Sequence, residues 1–195
     1  MQTEFCKLLG IDVPIFAFTH CRDVVVAVSK AGGIGVLGAV GFSAAQLKEE
    51  LDWIDQHIGD HIYGVDTAIP QKYEGIGETD PDALVKMIQD AIPEEHRKFA
   101  EGLLSDHGVP PWPDPEEEIT LSFSLAQAQL LVDEALTRPK CRMIVNALGT
   151  PPPEIVEQVH ASGRLIGALA GRLKHGIAHK EAGLDFIVCQ GSEGG

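Results

Sequence analysis

The sequence has few basic residues, no closely spaced cysteines and no long apolar run, and each absence excludes a class of protein. Its 15 lysines and arginines stand against 29 acidic residues, which gives a formal net charge of −14 at pH 7. Such an acidic chain repels the phosphates of nucleic acids and of anionic lipids, so we expect neither nucleic-acid binding nor docking to a membrane surface. No apolar run reaches the roughly 20 residues of a membrane-spanning helix, so no span is predicted.

The four cysteines and the first residues exclude further classes. Cys6, Cys21, Cys141 and Cys189 lie far apart without the CxxC spacing of metal and redox motifs, which favours free thiols in a reducing compartment. The opening residues, MQTEFC, have neither the basic start nor the apolar stretch of a secretory signal. The sequence therefore predicts a cytoplasmic globular protein without a bound metal.

Short apolar runs alternate with amphipathic stretches along most of the chain, which is typical of parallel α/β folds. The clearest amphipathic stretch begins after Ser43, where apolar residues recur at helical spacing from Leu47 to Ile58. Asp23 is predicted to cap an earlier helix over 24–30. Further helices are predicted over 125–137, 154–161 and 173–182, and six strands over 14–18, 34–40, 62–69, 142–148, 165–170 and 184–189.

The alternation breaks between residues 70 and 122, where proline clusters and an acidic run surround helical patches at 82–92 and 94–104. A connection this long predicts an insertion over one face of the fold. An eight-stranded barrel usually needs about 250 residues. Six β/α units therefore match either a barrel that lacks two units or a complete open sheet, and the pattern alone leaves both architectures open.

Two motifs lack the context that their chemistry requires. Gly33, Gly35 and Gly38 match GxGxxG, but they follow a helix and enter a strand, the reverse of a dinucleotide site. We interpret them as a helix stop and as positions of close strand packing. His175 and His179 share a predicted helix, but no glutamate follows the first of them as in a zinc protease, so we expect both to face solvent.

Polar residues and glycines follow several predicted strands at their carboxyl ends, where parallel α/β folds bind ligands. For any one of them a turn or capping role competes with ligand contact, and we interpret His20 as a capping or packing residue. The glycine-rich segment 190–195 indicates a ligand most strongly, because glycine lets the backbone approach a flat or phosphorylated ligand closely. The set comprises residues 17–20, Asp66, Asn146, Ala170, Gly171 and 190–195.

Two stretches resemble the nitronate monooxygenase family, once called 2-nitropropane dioxygenases, to which flavin-dependent enoyl-ACP reductases are similar. They are PIFAFTHCRDVVVAVSKAGGIGVLGA at 14–39 and NALGTPPPEIVEQVHASGRLIGALAGRLKHGIAHKEAGLDFIVCQGSEGG at 146–195. The resemblance covers both ends of the chain and not the segment 70–122. It implies a (β/α)₈ TIM barrel with non-covalent FMN. Residues 1–195 would then form a partial domain of about six β/α units, with the insertion at 70–122 after its third strand.

The resemblance also implies the site by position. It places the family's catalytic histidine directly after Gly195 and the strands that bind the FMN phosphate beyond it, so it assigns no catalytic residue within the chain. Asp66 replaces the usual asparagine; if ionised, it lacks the amide's donor and adds charge near the ring. In the opening turn, alanine-phenylalanine-threonine replaces the usual alanine-proline-methionine. The implied cofactor-binding residues are Ala17, Phe18, Thr19, Asp66, Ala170, Gln190, Gly191, Gly194 and Gly195.

The leading hypothesis from this resemblance is a flavoprotein oxidoreductase, a monooxygenase that denitrifies alkyl nitronates with FMN and molecular oxygen. Its partners would be a small nitronate and O₂, and a homodimer stays open. One alternative is an NAD(P)H-dependent flavin reductase of the enoyl-ACP reductase type. The other is a non-catalytic truncated fragment that self-associates through exposed edge strands.

Overall fold

The computed structural model describes residues 3–70, 92–110 and 125–192. Residues 3–70 and 125–192 belong to one compact unit, and 92–110 belong to a second. The strands are β1 (Phe16–Thr19), β2 (Ile34–Gly38), β3 (Tyr63–Thr67), β4 (Cys141–Asn146), β5 (Leu165–Ala170) and β6 (Phe186–Cys189). The helices are α1 (Glu4–Leu9), α2 (Arg22–Lys30), α3 (Ala44–His57), α4 (Glu94–Asp106), α5 (Leu125–Leu136), α6 (Pro153–Ala161) and α7 (Leu173–Glu181).

The order of the strands decides between the two architectures that the sequence pattern leaves open. All six strands are parallel, and each pairs with the next strand along the chain, in the order β1-β2-β3-β4-β5-β6. A doubly wound open sheet reverses its order at a switch point, whereas a barrel winds in one direction. The sheet is therefore a curled half-barrel, with α2, α3, α5 and α6 on its outer face.

Two apolar clusters lie on opposite faces of this sheet. The outer cluster joins the sheet to α2, α3, α5 and α6, and the inner cluster lies on the concave face, where α1 contributes Cys6. Alternation along a strand separates them: in β2, Val36 belongs to the inner cluster and Leu37 to the outer one. The concave face is thus a surface of its own, distinct from the helix-covered core.

The glycines of the GxGxxG match serve packing. A Cβ added at Gly35 would lie 2.5 Å from the Cα of Val25, and one at Gly33 would lie 2.8 Å from the carbonyl oxygen of Ile15. Gly32, with φ of +92°, makes the left-handed turn after α2. These contacts confirm the interpretation as a helix stop and close packing.

The structure corrects several predicted boundaries. Helix α1 was not predicted, and α2 begins at Arg22 with Cys21 as its N-cap residue, so the predicted cap at Asp23 is wrong. The Thr19 hydroxyl accepts the Cys21 N–H, which starts the helix two residues early and leaves Asp23 in the first turn. Five of the six strands are shorter than predicted, and the strand predicted over 165–170 has the predicted bounds.

In the second unit, α4 matches the predicted helical patch at 94–104, and it contains no buried residue. The patch at 82–92 lies outside the described residues apart from Ile92, and the insertion over 70–122 stays a prediction. Across the ranges that the structure describes, no helix combines the length and apolar character needed to cross a membrane.

Candidate functional site

The concave face of the half-barrel encloses a cavity of about 800 Å³. All six strands contribute to its wall, which is mostly aromatic and aliphatic, and α1 closes one end with Phe5. Polar groups are few and lie mainly towards the carboxyl ends of the strands. The lining residues are Phe5, Phe16, Phe18, Val36, Asp66, Met143, Val145, Ala147, Leu169, Asp185, Phe186, Ile187, Val188, Cys189, Gln190 and Gly191.

Four of the predicted cofactor-binding residues line this cavity together: Phe18, Asp66, Gln190 and Gly191. They come from β1, β3 and the segment after β6, so the fold joins parts of the chain that are up to 173 residues apart, from 18 to 191. The predicted residues Gly194 and Gly195 lie outside the described part of the chain.

The other three predicted residues do not line the cavity. Ala17 and Thr19 alternate with Phe18 along β1 and therefore lie towards the opposite face of the strand. The backbone carbonyl of Ala170 accepts the N–H of Gln190 at 3.1 Å, so this residue positions the segment after β6.

Among the cavity residues, Asp66 has a buried carboxyl group without a hydrogen-bond or ion-pair partner in the described part of the chain. It is 4% exposed, and its side chain makes no hydrogen bond or ion pair to any residue in the described ranges. Its backbone carbonyl accepts the Ala39 N–H at 2.7 Å, which fixes the end of β3. Burial raises the pKa of the Asp66 carboxyl from an ordinary 3.8 to about 7.

The second cavity carboxylate, Asp185, is fully partnered. It accepts the backbone N–H of Ile166 at 2.8 Å and a hydrogen bond from Nε2 of His160 at 3.0 Å. Asp185 therefore joins β5, α6 and the start of β6, which is a structural role. The Asp66 side chain makes no such bonds to described residues.

Phe18 and His20 form an aromatic pair over Gly38. Their ring centroids are 5.0 Å apart in an edge-to-face arrangement, and a Cβ added at Gly38 would lie 2.7 Å from the Phe18 ring. Nδ1 of His20 lies 3.2 Å from the Gly38 carbonyl, so Nδ1 carries the proton and donates it. This packing confirms the interpretation of His20 and holds Phe18 against the cavity wall.

Two polar residues that the sequence left undecided are structural. Asn146 is fully buried; its Oδ1 accepts the Ile69 N–H at 2.7 Å and its Nδ2 donates to the Ile69 and Gly149 carbonyls. It ties the segment after β3 to the segment after β4 and has no group left for a ligand. Sequence reasoning could not assign this role because Ile69 is 77 residues away.

His179 is also fully buried, so the predicted solvent-facing position is wrong. Its Nε2 donates to the Leu169 carbonyl at 3.0 Å, and its Nδ1 accepts from the Thr150 hydroxyl at 2.8 Å. Helix α7 packs on β5 through this residue, which requires the imidazole to face inward. Within the described ranges, no group of three or more histidine, cysteine, aspartate or glutamate side chains could hold a metal ion.

No family model matches the chain. Over its full length the chain is 44% identical to a Mycobacterium tuberculosis protein provisionally named a monooxygenase, of which it covers 52%. It is 27% identical to Staphylococcus aureus proteins provisionally named nitronate monooxygenases, of which it covers 50%. The chain is thus similar in sequence to proteins named as monooxygenases and nitronate monooxygenases. It spans about half the length of the curated relatives that it matches.

Solved structures confirm the fold of this chain. A nitroalkane oxidase from Streptomyces ansochromogenes aligns with a TM-score of 0.64 at 18% identity, covering 98% of this chain and 49% of that one. A FabK variant from Thermotoga maritima aligns with a TM-score of 0.64 at 16% identity, covering 99% and 47%. At such identities these alignments show the fold alone, a TIM-barrel type of which about six β/α units are present.

Similarity to the nitronate monooxygenases implies a flavin cofactor, and the cavity fits the ring part of one. An isoalloxazine ring is flat and largely apolar with polar atoms along one edge, and the cavity offers apolar walls, an unpartnered carboxyl and an open glycine at its rim. The described lining includes no lysine or arginine, the side chains that usually pair with a phosphate. The described lining therefore fits the ring and contains no cationic side chain for the phosphate.

Proposed function

We propose that this chain forms the flavin-binding part of an FMN-dependent oxidoreductase that oxidises alkyl nitronates with molecular oxygen. The observation that carries the proposal is the meeting of Phe18, Asp66 and Gly191 in one apolar cavity. The family resemblance predicts all three residues near the flavin, and they come from three separate parts of the sequence. The names of the relatives agree with the oxidoreductase class.

Each of the three residues has a distinct part in this proposal. Phe18 offers an aromatic surface that is held in place by His20 and Gly38. Asp66 offers a polar group in an otherwise apolar wall. Gly191, beside which a Cβ would meet no atom within 4 Å, leaves room for the ring to approach the backbone.

The bound flavin would supply the electron transfer between the nitronate and oxygen, while the protein supplies position and a dry environment. Among the described residues, none is assigned to proton transfer in this proposal. A nitronate is already deprotonated at carbon, so its oxidation places less demand on a base than that of the neutral nitroalkane.

The test begins with titration of the purified chain with FMN, followed by flavin fluorescence and absorbance. We expect saturable binding to one site. Oxygen uptake and nitrite release on addition of an alkyl nitronate then test the reaction. Reduction of the bound flavin by NADH or NADPH without air and without nitronate would instead support the flavin reductase. A chain that binds no flavin and associates with increasing concentration would support the fragment hypothesis.

A matched pair of variants locates the site. Gly191→Val fills the rim of the cavity and should weaken FMN binding at least about tenfold, which is about 1.4 kcal/mol. Gly41→Val is the control, because Gly41 is also exposed, also has open space around its Cβ position and does not line the cavity. Equal FMN affinities in the two variants would place the flavin elsewhere.

A further inference from the structure

The cavity contains two carboxyl groups in opposite situations. Asp185 has its hydrogen bonds supplied by Ile166 and His160, whereas the Asp66 side chain has no partner among the described residues although it is only 4% exposed. A nearly buried carboxyl group without a hydrogen-bond donor beside it is disfavoured as the carboxylate, because burial penalises the charged form. This carboxyl lies in the wall of the cavity, where a bound molecule can reach it.

No described group near Asp66 stabilises its charged form. On the flanking strands the neighbours in register are Gly38 of β2 and Val145 of β4, neither of which ionises. His20 lies beyond Gly38 and directs Nδ1 to the Gly38 carbonyl. Across the cavity the titratable groups are Asp185, which is itself acidic, and the Cys189 thiol. Burial alone raises the pKa of the Asp66 carboxyl to about 7.

We propose that the neutral, protonated form of Asp66 is the form that binds a flavin ring in this cavity, so that binding above neutral pH takes up a proton. The inference rests on the proposed function. A flat ring over the carboxyl removes the remaining water and disfavours the carboxylate further. The carboxylic acid can donate its O–H to a carbonyl oxygen or ring nitrogen of the flavin, whereas the carboxylate can only accept.

The direction of the pH dependence follows by linkage. The bound state holds the proton more tightly than the free state, so the pKa of Asp66 rises further on binding. Well below pH 7 both states are protonated, and the affinity does not depend on this group. Above the free-state pKa, binding must take up a proton, and the affinity falls by up to about tenfold for each pH unit.

The experiment measures riboflavin affinity by fluorescence from about pH 5.5 to 9 in the unaltered chain and in two variants, Asp66→Asn and Asp60→Asn. Riboflavin is the probe because the phosphate of FMN titrates near pH 6 and would add its own pH dependence. For the unaltered chain we expect affinity that is constant at low pH and falls above pH 7. Asp66→Asn keeps a donor that does not titrate, so its affinity should be flat. Asp60→Asn removes the same charge from an exposed turn and should follow the unaltered chain.

Calorimetry of riboflavin binding at pH 8, in two buffers of different ionisation enthalpy, measures the number of protons taken up on binding. We expect close to one proton for the unaltered chain and none for Asp66→Asn. Affinity that is flat or rises with pH in the unaltered chain would overturn the inference and leave the proposed flavin site standing. Absence of both riboflavin and FMN binding in every variant at every pH would overturn the proposed function and this inference with it.

Unfolding in urea provides a check that needs no ligand. The folded state binds the Asp66 proton more tightly than the unfolded state, so the stability of the unaltered chain should fall relative to Asp66→Asn as the pH rises from about 4 to 8. A difference between the two midpoints that does not change with pH would show that Asp66 ionises in its ordinary range, and would overturn the inference.

Discussion

Single glycines set the distance between the sheet and its helices. Gly35 is the clearest case, because a Cβ there would lie 2.5 Å from both Cα and the carbonyl oxygen of Val25 in α2. These are backbone atoms, which cannot move aside as a flexible side chain can. Gly41, in the turn after β2, has no atom within 4 Å of its Cβ position and no left-handed φ.

We therefore expect Gly35→Ala to destabilise the fold by about 2–3 kcal/mol through overpacking. Gly41→Ala should be neutral or should stabilise the fold by about 0.5 kcal/mol, because alanine restricts the unfolded chain. Urea unfolding midpoints of the two variants, read by circular dichroism, measure the difference. Similar midpoints would mean that α2 does not approach β2 as closely as described.

For single residues, the sequence predicted which residues lie at the cavity better than it predicted the protonation and hydrogen bonding of their side chains. The strand-end rule was enough to select Asp66, Gln190 and Gly191 as candidates, and these residues do line the cavity. The state of Asp66 could not be predicted, because it depends on which side chains β2 and β4 place beside it. Asn146 and His179 bond across long stretches of sequence or to backbone groups, and no local pattern contains that information.

Among the elements, α7 is attached to the sheet through one buried imidazole. His179 bonds the Leu169 carbonyl of β5 and the Thr150 hydroxyl, while His175, one turn earlier on the same helix, is only half-buried and has no such bonds. Leu169 also lines the cavity, so α7 supports one wall of the site.

His179→Ala should cost about 2–4 kcal/mol, because it leaves a buried carbonyl without a donor and opens a cavity. His175→Ala on the same helix should cost less than about 1 kcal/mol. Thermal or urea unfolding compares the two variants. Equal losses would show that the hydrogen bonds of His179 contribute little.

Helix α3 and helix α1 show what sequence patterns can and cannot find. Ser43 and the regular apolar spacing made α3 predictable, and the structure adds Gln46, which completes a capping box with Ser43. Helix α1 has six residues and a single buried one, Cys6, too few for periodicity to detect. Its signals were an N-cap, Thr3, whose hydroxyl accepts the Cys6 N–H, and a left-handed Gly10 at its end.

For the molecule as a whole, charge distinguishes the two parts of FMN. The chain carries a formal charge of −14, and the described cavity lining contains Asp66 and Asp185 without a lysine or arginine. The ring finds apolar walls, while the phosphate meets an acidic protein. The flavin ring, rather than the phosphate, should therefore supply most of the affinity for this chain.

Because the phosphate should contribute little of the affinity, we expect this chain to bind FMN no more than about threefold more tightly than riboflavin at low ionic strength. Such a ratio corresponds to less than about 1 kcal/mol. Raising the salt concentration from about 20 to 200 mM should strengthen FMN binding relative to riboflavin, since salt screens the repulsion of the phosphate. Parallel fluorescence titrations measure both ratios. A preference for FMN of more than about tenfold that salt weakens would reveal a cationic phosphate site.

The short helix α1 connects the two ends of the half-barrel. The Phe5 ring lies 5.4 Å from that of Phe16 and 5.6 Å from that of Phe186, measured between centroids, and these two residues begin the first and the last strand of the sheet. One side chain thus spans the two outer strands at their amino ends, where no backbone ladder joins them within the described residues. The amino ends of the two outer strands are thus held together by aromatic packing on Phe5, and any widening of the sheet at that end would have to separate these rings.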